Sequence, residues 1–319
     1  MLLSMRGGNE DLYQELPSVI DMDETTFYES VCEEKEDILE DNVKSDETDN
    51  LKVIDFLQDE SVEITITEKI KEEPKTIVTL ENFKELIQNI ETSEQSAFQK
   101  TIQIEEIYNN ILTQYDGSFE NKKITCIGDS ITYGNGGSDD GNGNKISYCN
   151  FLGDILHANI VNLGIGGSAI ADNWDDTSLI LRWHEIPQDS DIILIFAGVN
   201  DYFIGEYGDR DIEKTFCHDA FQLLQNIRYN YGCQIYVVLT YQADAMNWEA
   251  FQSHDYAKYM NTLNDYSNEL GIEVIDLFHS DYLNSVDVEV KQNYMPDGIH
   301  PNDAGNNLLA KKIAVELIF

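Results

Sequence analysis

The second part of the chain, residues 122–319, alternates between apolar runs and amphipathic segments, and this alternation restricts the fold more than any other feature. Five runs rich in Ile and Val are nearly continuous in apolar residues, as strands buried on both faces of a sheet are; they span 123–129, 159–165, 191–201, 234–241 and 272–278. Helical patterns lie between and after them, at about 145–157, 211–230, 254–270 and 303–317. This order predicts an α/β domain with a doubly wound parallel sheet.

In such a sheet, ligands bind beyond the carboxyl ends of the strands. The stretch CIGDSITYG (126–134) places Ser130 at the end of the first predicted strand. A serine at a strand-to-helix turn can present both its hydroxyl and its backbone N–H at the sheet edge, which suits a nucleophile that also binds an oxyanion. Taken alone, the motif is also typical of a turn or a helix cap.

Two further motifs follow the second and third predicted strands. NLGIGGSAI (162–170) contains Gly164, Gly166 and Gly167, and such glycines let a backbone approach another group closely. AGVND (197–201) contains Asn200, whose uncharged amide can donate a hydrogen bond to a developing oxyanion. Neither G-x-G-x-x-G nor a P-loop is present, so the glycines do not predict nucleotide binding.

The fourth motif, PDGIHPND (296–303), places Asp297 and His300 three residues apart across a glycine. This spacing can bring both side chains to one side of a turn, where the carboxylate orients the imidazole and stabilises its protonated form. No second His or Cys stands at ligand spacing, so we predict no metal.

The four motifs, in this order, resemble the blocks of the SGNH hydrolases, also called GDSL-type lipases or acylhydrolases. The resemblance covers about residues 122–319 and departs from the family name at Ile131, where leucine is usual. It implies a flavodoxin-like, three-layer α/β/α domain that hydrolyses esters without a metal or an organic cofactor.

Position by position, the resemblance also implies roles for individual residues. The catalytic residues would be Ser130, Asp297 and His300, and the oxyanion hole would be formed by Ser130, Gly167 and Asn200. Gly164 and Gly166 compete with Gly167 for the glycine of the second block.

Acidic residues dominate the chain, with 60 Asp and Glu against 20 Lys and Arg and a formal net charge of −40. Because no basic cluster is present, we expect neither a nucleic-acid partner nor association with an anionic membrane. Five cysteines without a CxxC pair predict neither a disulfide framework nor a zinc site. We find no transmembrane segment or signal peptide, which predicts a protein of the cytoplasm or of a larger assembly.

The first 120 residues lie outside the resemblance, so the predicted organisation is 1–50, 51–120 and 121–319. Residues 1–50 carry 16 acidic against three basic side chains and predict a flexible leader. A short strand is predicted at 61–68. Residues 80–113 contain apolar positions at alternating steps of four and three. This spacing predicts either one long helix that oligomerises as a coiled coil, or two shorter helices that break near 91–96 and fold against each other or onto the next domain.

We therefore predict a serine esterase that removes a small acyl group, such as acetyl, from a carbohydrate. The polar, glycine-rich insertion at 134–145 and Trp174 fit an open cleft, and no apolar lid of a long-chain lipase is visible. A second hypothesis, suggested by the acidic leader and the heptad spacing, is a structural or binding module of a larger assembly, such as a virion appendage, with the hydrolase scaffold as its head.

Overall fold

The computed structural model describes residues 78–172, 176–247 and 255–319. The predicted leader at 1–50, the predicted strand at 61–68 and Trp174 lie outside the described residues. Every described residue belongs to one structural unit, Glu73–Phe319.

Five strands of the described chain form one parallel sheet in the order β2-β1-β3-β4-β5. Their bounds are β1 (Lys123–Gly128), β2 (Asn159–Gly164), β3 (Ile192–Phe196), β4 (Gln234–Leu239) and β5 (Glu273–Asp276). This order is that of flavodoxin-like folds, so the predicted doubly wound α/β architecture is confirmed. The central strand β3 is fully buried, whereas the edge strand β2 is partly exposed, which explains its two polar residues, Asn159 and Asn162.

The winding of the sheet reverses between β1 and β3, and open α/β sheets bind ligands beyond the carboxyl ends of the strands at such a point. Gly128 at the end of β1 pairs with Gly164 of β2 on one side and with Phe196 of β3 on the other. The loops that follow these three strands therefore begin side by side. All three of the first motifs lie on these loops.

Helices of the described chain flank the sheet. They are α1 (Leu80–Glu91), α2 (Ala97–Leu112), α3 (Ser130–Tyr133), α4 (Tyr148–Leu156), α5 (Leu179–Arg182), α6 (Val199–Ile204), α7 (Phe216–Asn230), α8 (Tyr256–Leu270), α9 (Val288–Tyr294) and α10 (Asp303–Ile318). Helix α4 packs against α10, and α7 packs against α8, as two layers around a sheet require. None of these helices combines the length and apolarity needed to span a bilayer.

The structure corrects the predicted bounds of the third strand. This strand was expected to continue to residue 201, but it ends at Phe196, and helix α6 begins at Val199. Gly198 adopts a φ of +116° between them, a conformation that glycine tolerates and that turns the chain from strand to helix. The apolar run could not show this turn because Ala197 and Val199 continue the strand-like composition. The short helices α3, α5, α6 and α9 were not among the predicted helices.

Residues 80–113 form two helices, as the second of the two alternatives predicts. The prediction of one long helix is wrong. Each helix begins with a capping box, Thr79 with Asn82 for α1 and Ser96 with Gln99 for α2. Because these caps satisfy the backbone N–H groups of a new first turn, the second cap favours a restart after residues 92–96.

The apolar seam of these helices packs within the chain. Phe83, Ile104, Tyr108 and Ile111 are all buried, and the ring of Tyr108 meets that of Tyr282 edge-on at 5.4 Å between centroids. Helix α2 also packs on α9 and α10. The side chains that predicted a coiled coil are thus used inside one chain, and oligomerisation through residues 80–113 stays a prediction.

Polar contacts also fasten the helical pair to the loop before α9. Glu91 accepts hydrogen bonds from the hydroxyl of Ser280 and from the N–H of Asp281. The buried ammonium of Lys100 donates to the carbonyl oxygen of Glu91 at 2.7 Å and to the carboxylate of Asp281 at 2.6 Å. The helical pair is therefore part of the folded domain.

We expect Ile104→Ala to lower the free energy of unfolding by about 2–5 kcal/mol, because it leaves a cavity at a fully buried position. All three Trp residues of the chain lie within residues 174–248, so Trp fluorescence reports unfolding of the hydrolase part. The control is Ile102→Ala on the same helix, where the side chain is 37% exposed and little change is expected. If Ile104→Ala left the fluorescence transition unchanged, the helical pair and the hydrolase part would unfold separately.

Candidate active site

Ser130 is held at the carboxyl end of β1 by a tight turn. Gly128 closes the strand, and a β-carbon there would lie 2.3 Å from the carbonyl oxygen of Phe196, so only glycine fits. Asp129 accepts a hydrogen bond from the N–H of Ile131 at 2.9 Å and caps α3. Ser130 is the first residue of this one-turn helix.

A chain of hydrogen bonds joins Ser130 to His300 and Asp297, although Ser130 and His300 are 170 residues apart in sequence. The hydroxyl of Ser130 lies 2.9 Å from Nε2 of His300, and Nδ1 of His300 lies 2.7 Å from Oδ2 of Asp297. The other carboxylate oxygen of Asp297 accepts from the N–H groups of Ile299 and His300, at 3.0 and 2.8 Å. The three residues predicted as catalytic are therefore brought together in the order that a Ser-His-Asp triad requires.

The environment of Asp297 keeps its carboxyl ionised. Burial alone would raise its pKa, but the hydrogen bond and charge of His300, together with the two backbone N–H groups, outweigh burial and lower the pKa below its usual range. A carboxylate in this place fixes the orientation of the imidazole and stabilises its protonated form.

The predicted oxyanion donors meet beside Ser130 at the ends of β1, β2 and β3. Within the described part of the chain, the backbone N–H groups of Ser130 and Gly167 have no hydrogen-bond partner. Nδ2 of Asn200 donates to the carbonyl oxygen of Ser168 at 3.0 Å, so one amide hydrogen fastens Asn200 to the Gly167 turn and the other is left for a ligand.

The structure distinguishes the three glycines of the second motif. A β-carbon on Gly164 would lie 2.2 Å from the backbone nitrogen of Tyr133, so this glycine allows β2 to pack closely on α3. Gly167 has a φ of +77°, and nothing lies within 4 Å of a β-carbon there. A β-carbon on Gly166 would come no nearer than 3.7 Å to Asn135. Gly167 thus combines an open position with a backbone that other residues rarely adopt.

Two buried carboxylates that sequence analysis gave no role hold the segment after this turn. Asp201 accepts from the N–H groups of Ile170 and Ala171, at 2.8 and 3.0 Å, and Asp219 accepts from the N–H of Asp172 at 2.8 Å. Burial raises the pKa of Asp201 to about 6 against the opposing effect of these hydrogen bonds. Asp201 lies in the third motif, directly after Asn200, but a motif does not show which backbone its carboxylate meets.

Arg182, which sequence analysis also missed, ties the strand ends together and is almost fully buried. Its guanidinium donates to the carbonyl oxygens of Gly128 and Leu163, at 2.7 and 2.6 Å, and to the hydroxyl of Ser168 at 3.2 Å. A third carbonyl oxygen, that of Thr177, accepts from Nε at 2.6 Å. One planar cation thus joins the end of β1, the end of β2 and the turn that carries Gly167.

Asp129 is fully buried directly before Ser130. Its Oδ2 has no hydrogen-bond partner among the described residues. Burial raises the pKa of this carboxyl to about 7, although the N–H of Ile131 and the charge of His300 oppose the shift. Near neutral pH, this group therefore exchanges a proton while it remains inside the protein.

The wild-type protein is expected to become less stable as the pH rises, because Asp129 must ionise inside the protein. Asp129→Asn should not show this part of the pH dependence. An aspartate titrates at about 3.9 in an unfolded chain, so the raised pKa makes a contribution to stability that is complete below about pH 4 and lost as the pH rises through 7. Asparagine does not titrate. The melting temperature of the variant minus that of the wild type should therefore increase from about pH 5.5 to pH 8. A constant difference would contradict the assignment, and Asp265→Asn, at an exposed position, is the control.

A doubly wound parallel sheet with a linked serine, histidine and aspartate at its switch point defines a serine hydrolase of the SGNH type. A model of the GDSL-like lipase/acylhydrolase family matches residues 126–308, more than half of the chain, so the protein belongs to this family. Within the described residues, no three His, Cys, Asp or Glu side chains gather as metal ligands. Independence from a cofactor stays a prediction.

Two solved structures with TM-scores above 0.5 show the same fold, and a third aligns with a lower score. One is 28% identical with a TM-score of 0.55 and aligns over 63% of this chain and 97% of its own. A protein from Lactobacillus plantarum is 25% identical with a TM-score of 0.52, over 62% and 97%. A lipase/acylhydrolase from Enterococcus faecalis is 20% identical with a TM-score of 0.45, over 62% and 95%. No curated protein sequence matches the chain significantly.

Proposed function

We propose that this protein is a serine esterase that removes acetyl or similarly small acyl groups from carbohydrates through an acyl-enzyme on Ser130. The observation that carries the proposal is the hydrogen-bonded chain from the Ser130 hydroxyl through His300 to Asp297. His300 accepts the proton of Ser130 through Nε2 as the hydroxyl attacks the ester carbonyl, and Asp297 stabilises the imidazolium that forms. The proton then passes to the departing alcohol.

The negative charge that develops on the carbonyl oxygen is stabilised by three donors: the N–H groups of Ser130 and Gly167 and the side-chain amide of Asn200. These groups are fixed before the substrate arrives, because Asn200 is bonded to the Gly167 turn and Arg182 joins that turn to the end of β1. A water molecule, deprotonated by the same histidine, releases the acyl group in the second half of the reaction.

The surroundings of the triad support a small acyl group on a polar alcohol. The loop 134–145 starts directly after α3, and a β-carbon on Gly136 would lie 2.9 Å from the β-carbon of His300, so this loop forms a wall of the site. The loop carries exposed Asp and Asn side chains and five glycines. A long acyl chain would need an apolar channel, whereas this wall offers hydrogen-bonding groups. The net charge of −40 disfavours anionic substrates.

The test is a series of esters hydrolysed by the purified full-length protein. We expect kcat/KM to be highest for p-nitrophenyl acetate and to fall from butyrate to octanoate, and we expect acetate release from O-acetylated neutral oligosaccharides. A preference for octanoate would contradict the proposal of a small acyl group. Hydrolysis of aryl esters without acetate release from oligosaccharides would contradict the proposal of a carbohydrate substrate. If no ester is hydrolysed, the chain acts as a structural or binding module on a hydrolase scaffold.

A further inference from the structure

A groove of about 920 Å³ runs along the free edge of the sheet, between helix α4 and strand β2. We call it the edge groove and define it by Tyr133, Asp140, Asn144, Asn150, Asp154 and His157. Its volume lies within the range of specific ligand sites. The site described above does not use these side chains.

The floor of the edge groove is β2, which has a hydrogen-bonded neighbour in the described sheet only on its β1 side. The groove is bordered by Ile160, Asn162 and Gly164 and so follows the strand almost from end to end. A strand of six residues is roughly 20 Å long. The edge groove therefore suits an elongated ligand rather than a single small molecule.

One wall of the groove carries polar side chains that are free to bind. Asn150, Asp154 and His157 are spaced by four and three residues, so they share one face of α4 and the residue that ends it. All three are exposed, and within the described chain the carboxylate of Asp154, the ring of His157 and the amide nitrogen of Asn150 have no hydrogen-bond partner. They are arranged in a row along the groove.

One end of the edge groove lies at Tyr133, one helical turn from the catalytic serine. Tyr133 is the last residue of the one-turn helix that begins with Ser130, and its side chain is 42% exposed. The opposite rim belongs to the loop 134–145, whose Gly136 packs on His300 before the loop continues to Asp140 and Asn144. A ligand in the groove can therefore extend to the Ser130 hydroxyl.

We propose that the edge groove binds the neutral oligosaccharide that carries the ester, with Asp154 and Asn150 hydrogen-bonded to sugar hydroxyl groups and a sugar ring stacked on Tyr133. This proposal rests on the serine esterase function proposed above. Carboxylates accept strong hydrogen bonds from hydroxyl groups, and the amide nitrogen of Asn150 can donate one, whereas its oxygen already accepts from the N–H of Ser147 at 2.9 Å. The face of a tyrosine ring packs against apolar surface while its hydroxyl remains in water. Asp140 and Asp154 outnumber Lys145 in the lining, so the groove disfavours anionic polysaccharides.

The test compares two doubly substituted full-length proteins. N150A/D154A removes the groove pair, and N261A/D265A removes an exposed Asn and Asp with the same spacing on α8, away from the groove lining. For O-acetylated xylo-, cello- and mannopentaose, we expect N150A/D154A to lower the kcat/KM of the best substrate at least about tenfold, equivalent to roughly one hydrogen bond to a charged group. The control should match the wild type, and all three proteins should hydrolyse p-nitrophenyl acetate equally.

A second measurement separates the groove from the chemistry. Ser130→Ala, which does not hydrolyse the ester, should bind the same pentaoses in a calorimeter, and this binding should be lost when N150A/D154A is added to Ser130→Ala. If p-nitrophenyl acetate is hydrolysed but both double variants treat the sugar esters alike, the esterase stands and the groove proposal is wrong. The groove proposal is also wrong if no pentaose binds to Ser130→Ala, or if an extended peptide binds in the groove and no pentaose does.

Discussion

Replacement of Ser130 by alanine is expected to lower kcat for p-nitrophenyl acetate by at least about a thousandfold, because alanine has no hydroxyl to form the acyl-enzyme. The hydroxyl is 2.9 Å from Nε2 of His300, and among the described residues this is the hydrogen bond that is lost. The melting temperature should therefore change little, so that loss of activity is not loss of the fold. A residual rate equal to that of the wild type would remove Ser130 from the mechanism.

The same variant allows a direct test of the covalent step. A fluorophosphonate should add one phosphonyl group to the wild-type protein, detected by intact mass, and none to Ser130→Ala. Ser118→Ala is the matched control, because Ser118 is exposed and lies in a turn before β1. Labelling of Ser130→Ala at the wild-type rate would show that another residue is the nucleophile.

Replacement of Arg182 by alanine is expected to lower kcat by roughly a hundredfold with little change in KM. The guanidinium holds the carbonyl oxygens of Gly128 and Leu163 and the hydroxyl of Ser168, so its removal frees the Gly167 turn from the end of β1. A displacement of about 1 Å between catalytic groups can cost a hundredfold in rate. The variant should also melt at a lower temperature, because three backbone carbonyl oxygens lose a buried donor.

Chemical rescue shows whether Arg182 positions the catalytic groups or only stabilises the fold. Guanidinium ion at low concentration should restore part of the turnover of Arg182→Ala and saturate, at a temperature where the variant is fully folded. Arg228→Ala, which removes an exposed arginine from the end of α7, should show neither the loss nor the rescue. If the folded fraction of Arg182→Ala turns over at the wild-type rate, Arg182 has only a structural role.

Much of the architecture could be predicted because its signals are local. Apolar runs such as 123–129 and 234–241 identify central strands since both faces of those strands are buried. The fourth motif could also be identified from the sequence, because Asp297 and His300 are only three residues apart. The meeting of His300 with Ser130 follows from topology once the strand order is known.

Features whose partners are distant in sequence could not be predicted in this way. Arg182 contacts residues 5, 14, 19 and 54 positions away, and nothing in the local pattern of SLILRWHEI separates it from a surface arginine. The seam of α1 and α2 was visible as a pattern, but a pattern of apolar positions does not say which surface covers it. Phe83 and Tyr108 are covered by the C-terminal part of the same chain, at Phe319 and Tyr282.

Because the helical pair packs on the hydrolase part, the region that folds is longer than the region that matches the family model. The matched region, 126–308, begins inside β1 and ends inside α10. A fragment cut at those limits would lose Lys100 from the loop at Asp281, would lack most of α10, and would expose Tyr282 to water. Such a fragment should aggregate, and one that is to stay in solution has to include Val78 and Phe319.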